Sequence, residues 1–266
     1  MMLNILFIGD IVGQAGMQIA ETWLPSLIKQ NHADLVVVNA ENASEGKGAT
    51  EKEAGVLFNL GATVLTGGNH TFEKALSQEY LKKERRFLRP LNYPQGTYGF
   101  GFYIAETSKG KVGVINLQGR TFLPPIDCPF RAAEWAIKKI KEQTNIIFID
   151  FHAESTAEKL ALANFVKNDV SVFVGTHTHI QTADERIFDS GMAYISDVGM
   201  TGPYDSVIGM KTDAAINRFL YQTPQKYLVA TDELRLSGIL AKVNPETGKA
   251  TSIERILIPE FVRTRE

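Results

Sequence analysis

An α/β fold of two sheets packed face to face, with helices outside, is predicted by three features of the sequence. Short apolar runs alternate with segments of helical periodicity in the first third of the chain. The same alternation returns near residue 131. Paired runs separated by polar turns are added between the two halves and after them. Alternation of strand and helix implies parallel sheets with right-handed crossovers, and the paired runs imply antiparallel additions.

Taken in order, Leu3–Ile8 is an apolar run of the kind expected for a strand covered on both faces. Ile19, Trp23, Leu24, Leu27 and Ile28 recur at helical spacing and predict an amphipathic helix near residues 14–30. Leu35–Val38 is the next strand, Glu51–Leu60 the next helix, with Ala54, Leu57, Phe58 and Leu60 apolar, and Ala62–Leu65 the third strand. Tyr98–Ala105 and Val112–Leu117 flank Lys109-Gly110-Lys111 and read as a hairpin. Arg131–Lys141 follows as a helix, then a strand over 145–149, a helix over 156–167 and a strand over 170–174. Arg186–Phe188, Met192–Ile195, Arg235–Val243 and Ser252–Ile258 read as antiparallel and hairpin-like. Trp23 and Trp135 fall on helical apolar faces and are expected in the core. With no internal repeat and no long linker, residues 1–266 are read as one domain.

Composition narrows the classes of function. A hydrophobic fraction of 44% and a charged fraction of 22% are those of a globular protein with a core. The formal charge of −2 gives no basic footprint, so duplex nucleic acid is not an expected partner. Cys128 is the one cysteine, which rules out an internal disulfide and suits the cytoplasm. The first residues, MMLNILFIGD, lack a basic leader, and no run reaches the ~18 apolar residues of a membrane span. No membrane partner is expected, and the sequence is compatible with an oligomer.

Four of the five histidines lie in three short motifs at the ends of predicted strands. Gly68-Asn69-His70 follows Ala62–Leu65, Phe151-His152 follows the strand at 145–149, and Gly175-Thr176-His177-Thr178-His179 follows the strand at 170–174. Gly9-Asp10 closes the first strand and Asn39-Ala40-Glu41-Asn42 the second. Strand carboxyl ends are where open α/β sheets build their sites. Carboxylates, amide oxygens and imidazoles are the donors that hard-to-borderline divalent metals take. Each motif alone has a plainer reading: Asp10 as a helix cap, Gly67-Gly68-Asn69-His70 as a tight turn, His152 as a core histidine. His177 and His179, at i and i+2 of an extended segment, would point the same way. The joint occurrence of these motifs favours a metal site. His32, in a helix-to-strand turn, is assigned no role.

These motifs resemble those of the calcineurin-like metallophosphoesterase superfamily. GNH stands at Gly68–His70, a lone histidine at His152, and GTHTH at Gly175–His179 in the place of GHxH. The usual aspartate-x-histidine is Asp10-Ile11-Val12, without its histidine, and glutamate replaces an expected bridging aspartate in Asn39-Ala40-Glu41-Asn42. Both departures, and the segment Gly199–Pro203, are similar to the bacterial YmdB-type cyclic-nucleotide phosphodiesterases.

The resemblance implies a four-layer α-β-β-α sandwich of two mixed sheets. It implies two divalent or mixed-valent transition metals, iron favoured, with manganese or zinc also suited to the donor set. Glu41 would bridge them, with Asp10, Asn42 and His179 completing one site and Asn69, His152 and His177 the other. His70 would be left as the catalytic proton donor or charge stabiliser. Two metals ~3.5–4 Å apart polarise phosphoryl oxygens and acidify a bridging water. The implied substrate is a small phosphodiester, a cyclic nucleotide such as 2′,3′-cAMP.

The residues themselves leave open a phosphomonoesterase, or a metal-bound regulatory protein with incidental catalysis. By composition Thr201-Gly202-Pro203-Tyr204 is a turn, which the resemblance would place along the substrate pocket; Arg120, Lys211 and Arg218 are candidate phosphate contacts, and Phe122 and Tyr204 candidate base-stacking rings. The plain reading of each is surface or core.

Overall fold

The computed structural model describes residues 1–226 and 228–261. It contains strands β1 (Leu3–Ile8), β2 (Asp10–Ile11), β3 (Leu35–Asn39), β4 (Val64–Thr66), β5 (Phe102–Thr107), β6 (Gly110–Gln118), β7 (Ile147–His152), β8 (Val172–Thr176), β9 (Arg186–Ile187), β10 (Ala193–Ile195), β11 (Met200–Pro203), β12 (Leu234–Val243) and β13 (Ala250–Ile258). The helices are α1 (Gly13–Gln30), α2 (Glu51–Asn59), α3 (Ala75–Leu81), α4 (Pro129–Ile140), α5 (Thr156–Val166) and α6 (Thr212–Tyr221).

The strands form two mixed sheets. One runs β2-β11-β12-β1-β3-β4, with β13 also paired to β12; the other runs β5-β6-β7-β8-β10-β9. β1, β3 and β4 are mutually parallel, as are β6, β7, β8 and β10. Each parallel set therefore sends its carboxyl ends the same way.

The period-2 alternation of strand side chains sorts the apolar residues into three interiors. Leu3, Ile5 and Phe7 of β1 meet Val114, Phe148, Val172 and Val174 of the opposite sheet. The Phe7 and Phe148 rings lie 5.4 Å apart across that interface. Leu6 and Ile8 face the other way and pack with Leu24, Leu27, Ala54 and Leu57 of α1 and α2. Ile147, Ile149 and Phe173 pack outward on Ala133, Ile137 and Leu162 of α4 and α5. The result is the four-layer α-β-β-α sandwich. Burying each of these Leu, Ile, Val and Phe side chains contributes about 1.5–3 kcal/mol. This core lies away from the strand ends and leaves them free for polar groups.

Several expectations are corrected. Met192–Ile195 is not purely hairpin-like, because β10 pairs parallel with β8 and antiparallel only with β9. Thr201-Gly202-Pro203 is not a turn: it belongs to buried strand β11, which pairs with β2 and β12. Trp135 is 53% exposed rather than core, since it sits beside the buried stripe of Ala133, Ala136, Ile137 and Ile140. Helices α3 and α6 escape a search for apolar periodicity. In α6 the large apolar residues Ile216, Phe219 and Leu220 are exposed and only Ala215 is buried.

Candidate metal centre

Five parallel strand ends meet at one edge of the sandwich. β1 leads through Gly9 to Asp10, β3 to Glu41 and Asn42, and β4 to Gly67–His70. β7 ends on His152, and β8 leads to His177–His179. Asp10, Glu41, Asn42, His152 and His179 are all buried.

The tightest convergence is on Nε2 of His152. Asn69 Oδ1 lies 3.1 Å from it, His177 Nδ1 3.0 Å and Glu41 Oε1 3.2 Å. The other ring nitrogen is accounted for. Nδ1 lies 3.1 Å from Thr176 Oγ1, whose single proton is donated to Asp150 Oδ1 at 2.8 Å, so Thr176 accepts from Nδ1–H. That tautomer turns the Nε2 lone pair toward three further lone pairs. Adjacent donors around a cation with bonds of ~2.0–2.1 Å lie ~3 Å apart in an octahedral shell, which matches these separations. His177 is oriented from outside: its Nε2 lies 3.1 Å from Glu154 Oε2, which leaves Nδ1 for the centre. A carboxylate behind a histidine is the usual outer support of a metal ligand.

The second group lies beside the first. Asn42 Nδ2 is 3.0 Å from His179 Nε2, and His179 Nδ1 donates to the Ile208 carbonyl at 2.8 Å. Asn42 Oδ1 faces His70 Nδ1 at 3.0 Å, and a half-turn of the amide would place its oxygen against the His179 lone pair at the expense of that contact. Asp10 Oδ2 accepts from the His177 backbone N–H at 3.1 Å, while Asp10 Oδ1 is buried without a hydrogen-bond partner. Such an orphan costs ~1–3 kcal/mol unless something pairs with it. Among the described residues, no three His, Cys, Asp or Glu side chains alone form a group arranged to hold a metal ion. The amide oxygens of Asn69, at His152 Nε2, and of Asn42, at His70 Nδ1, stand beside these side chains as further oxygen donors.

The electrostatics favour a cation. Burial alone would raise the Glu41 carboxyl, but His152 and His70 outweigh it and hold the group below the usual carboxylate range. Burial raises Asp10 against the opposing influence of His152 and His179. Burial also acts to lower His152, yet the charge and hydrogen bond of Glu41 prevail and raise it to about 9. His177, by contrast, is pushed down to about 2 by burial and then by His152, so its lone pair stays available. The centre thus stabilises positive charge beside Glu41. A divalent cation would meet the same demand with both imidazoles neutral, and the residues fit it.

Glycine makes this geometry possible. A Cβ on Gly68 would lie 2.3 Å from His152 Cδ2 and 2.5 Å from its Nε2. The following turn closes through Thr71, whose Oγ1 accepts from Gly68 N–H at 2.9 Å and donates to Gly68 O at 2.7 Å. The turn separates the two neighbours: Asn69 reaches His152, while His70 Nδ1 lies 2.9 Å from Glu41 Oε1 and 3.0 Å from Asn42 Oδ1. His70 N–H also donates to Glu41 Oε2 at 3.0 Å. Among the described residues His70 Nε2 has no hydrogen-bond partner, and the side chain is 28% exposed.

The structure brings all eight expected site residues together, although the reason given for two of them changes. His177 and His179 are not in an extended segment. Their φ angles are +102° and +68°, so a left-handed turn, not strand alternation, aims them. Arg120, Lys211 and Arg218 are exposed and make none of the contacts of this centre. Phe122 is 87% exposed. Tyr204 is committed elsewhere, its hydroxyl donating to Met200 O at 3.0 Å and its ring packed on Phe261.

Sequence reasoning missed Asp150. Its buried carboxylate accepts from Asn39 Nδ2 at 2.9 Å, Thr66 Oγ1 at 2.5 Å and Thr176 Oγ1 at 2.8 Å, tying β3, β4 and β8 to β7. Burial raises it to about 6 against the hydrogen bonds of the two threonines. The signal was present: an aspartate inside the apolar run IIFIDF must have buried partners. Glu154 and the Ile208 carbonyl gave no such signal.

A sandwich of this topology, with these donors at the joined strand ends, defines a metallophosphoesterase-type protein. The profile of the YmdB-like protein family matches residues 6–256, and the chain belongs to that family. It is 45% identical over 256 residues to the 2′,3′-cyclic-nucleotide 2′-phosphodiesterase of Bacillus subtilis strain 168, covering 96% of this chain and 97% of the relative. A Mycoplasma pneumoniae crystal structure described as a novel phosphatase superposes with a TM-score of 0.92 at 35% identity, covering 97% of this chain and 94% of the other. A hypothetical protein from Thermus thermophilus gives 0.90 at 34% identity, with 96% and 98% covered.

Proposed function

We propose that this chain is a dinuclear metal-dependent phosphodiesterase that hydrolyses small cyclic nucleotides of the 2′,3′ type. The observation that carries the reading is the convergence of Asn69, His177 and Glu41 on His152 Nε2, with Asp10, Asn42 and His179 beside it. The B. subtilis relative supports the substrate class. Glu41 would be shared between two cations, because a carboxylate has two oxygens to give and this one faces both His152 and His70. Cations held there would polarise the phosphoryl oxygens and acidify a water.

The chain's own groups supply the rest. Asn69, His152 and His177 would hold one cation, and Asp10, Asn42 and His179 the other. His70 is anchored through Nδ1 to Glu41, which leaves Nε2 as the ring atom free to act, and as the imidazolium it would donate a proton from there to the departing ribose oxygen. Iron is the first metal to test, then manganese and zinc, since the donors mix oxygen with imidazole nitrogen. The one cysteine, Cys128, is free, which supports the cytoplasm as its compartment. The interior shared by both sheets supports treating residues 1–266 as one domain.

The test is elemental analysis of purified protein, paired with turnover of 2′,3′-cAMP and of a matched phosphomonoester. Two transition metals per chain and faster diester turnover are expected. Ten-fold faster monoester turnover would overturn the substrate class, and the absence of bound or bindable metal would overturn the centre.

A further inference from the structure

His177 and His179 both occupy left-handed backbone conformations, which non-glycine residues hold only when their surroundings enforce them. The residue between them is tied down: Thr178 N–H donates to Asp197 Oδ2 at 3.0 Å. The other oxygen of the same carboxylate accepts from Gly199 N–H at 2.9 Å. Gly199 opens onto β11, where Met200 pairs with Asp10. One carboxylate therefore fixes both the histidine turn and the strand that positions Asp10. Further bonds lock this frame: Val198 N–H donates to Gly175 O at 2.9 Å, Met200 N–H to His179 O at 3.1 Å, and Asp197 N–H to Thr182 Oγ1 at 3.0 Å.

The charge of that carboxylate is balanced from below. Lys159 extends from α5, is 1% exposed, and donates from Nζ to Asp197 Oδ2 at 2.8 Å. Its stem passes beside Gly175, where a Cβ would lie 2.9 Å from Lys159 Cδ. Fully buried lysines are rare unless paired, and among the described residues the hydrogen-bond partner of this one is Asp197, not a candidate ligand. Its partner is also 1% exposed, so the pair is placed to hold the loops.

We propose that Asp197, neutralised by buried Lys159, is the positioning residue that sets His177, His179 and Asp10 to receive the two cations. The inference rests on the dinuclear reading above. A carboxylate can accept from Thr178 and Gly199 at once, one oxygen for each. An amide has one acceptor oxygen, so asparagine must release one of the two loops.

The test compares the full-length wild type with the double variant Lys159→Met/Asp197→Asn, which leaves no lone buried charge. Each is titrated with Mn²⁺ by electron paramagnetic resonance, well below its melting temperature. Removing support behind metal ligands costs ~10–100-fold in affinity, and that loss is expected for the double variant. Affinity within two-fold of wild type in a folded double variant would reduce the pair to a fold-stabilising role and overturn the proposal. Should the variant not fold, amide exchange on the wild type decides. Thr178 N–H should exchange as slowly as the amides of β8, with or without Mn²⁺; rapid exchange would overturn the proposal. A wild type that binds no Mn²⁺ would instead defeat the dinuclear reading, so the two failures are distinct.

Discussion

Substituting Gly68 by alanine should disable the centre without touching any ligand. The added methyl would lie 2.3 Å from His152 Cδ2 and 2.5 Å from Cγ and Nε2. Carbon atoms settle at ~3.5–4.0 Å from one another, so about 1 Å of movement is required. The imidazole cannot retreat freely. It is fully buried, and its Nδ1 is held by Thr176, which is held in turn by Asp150. If the ring moves, Nε2 leaves the point where Asn69, His177 and Glu41 converge. If the loop moves, Asn69 and His70 go with it. A coordination bond of ~2.0–2.1 Å does not survive such a shift, and a 1 Å misplacement near chemistry costs ~10²-fold in rate. Overpacking should also cost about 1–3 kcal/mol of stability. The assays are metal per chain by elemental analysis, kcat on a chromogenic phosphodiester, and a thermal melt. Gly55→Ala is the companion variant. Gly55 lies inside α2 with nothing within 4 Å of the new methyl, so it should gain about 0.5–1 kcal/mol and keep full activity. A Gly68→Ala protein with two metals and wild-type kcat would refute the packing argument and the placement of His152 in the centre.

Four further outcomes follow from the contacts of the site. Glu41→Gln should lower metal content and abolish turnover, because the amide gives up the buried negative charge between the two groups; elemental analysis alongside a diester assay checks this. Asn69→Ala should lose one metal and the activity with it. His70→Ala should keep both metals and fall in kcat by ~10²-fold or more, less so on substrates with good leaving groups, and loss of metal instead would make His70 a ligand. Asp150→Asn leaves one of three buried donors without its acceptor, which costs about 1–3 kcal/mol. In a chain of this size that lowers the melting temperature by ~2–4 °C per kcal/mol, read by calorimetry.

The layer order and the chemistry of the donors are legible along the chain. Alternating periods of 2 and 3.6 are local properties, and each of the five motifs stands at the end of its own strand, so parallel pairing gathers them at one edge of each sheet, and the packing of the two sheets joins those edges. Glu41, Asn69 and His152 were legible for that reason. Asp150 was legible in principle, as a charge inside an apolar run. Tertiary structure decided what depends on contacts between distant segments. The strand at Met200–Pro203 reads as a turn because glycine and proline dominate it, yet Asp10 and Arg235 supply edges that make it a buried strand. Trp135 misses the core because the apolar stripe of α4 runs past it by one position. The left-handed turn at His177–His179 could not be read from i, i+2 spacing. Its conformation is imposed by Asp197, 19 residues beyond Thr178, and by a lysine on another helix. The identity of the candidate donors is encoded residue by residue, whereas their aim is set by hydrogen bonds and buried charge that exist only once the sheets have packed.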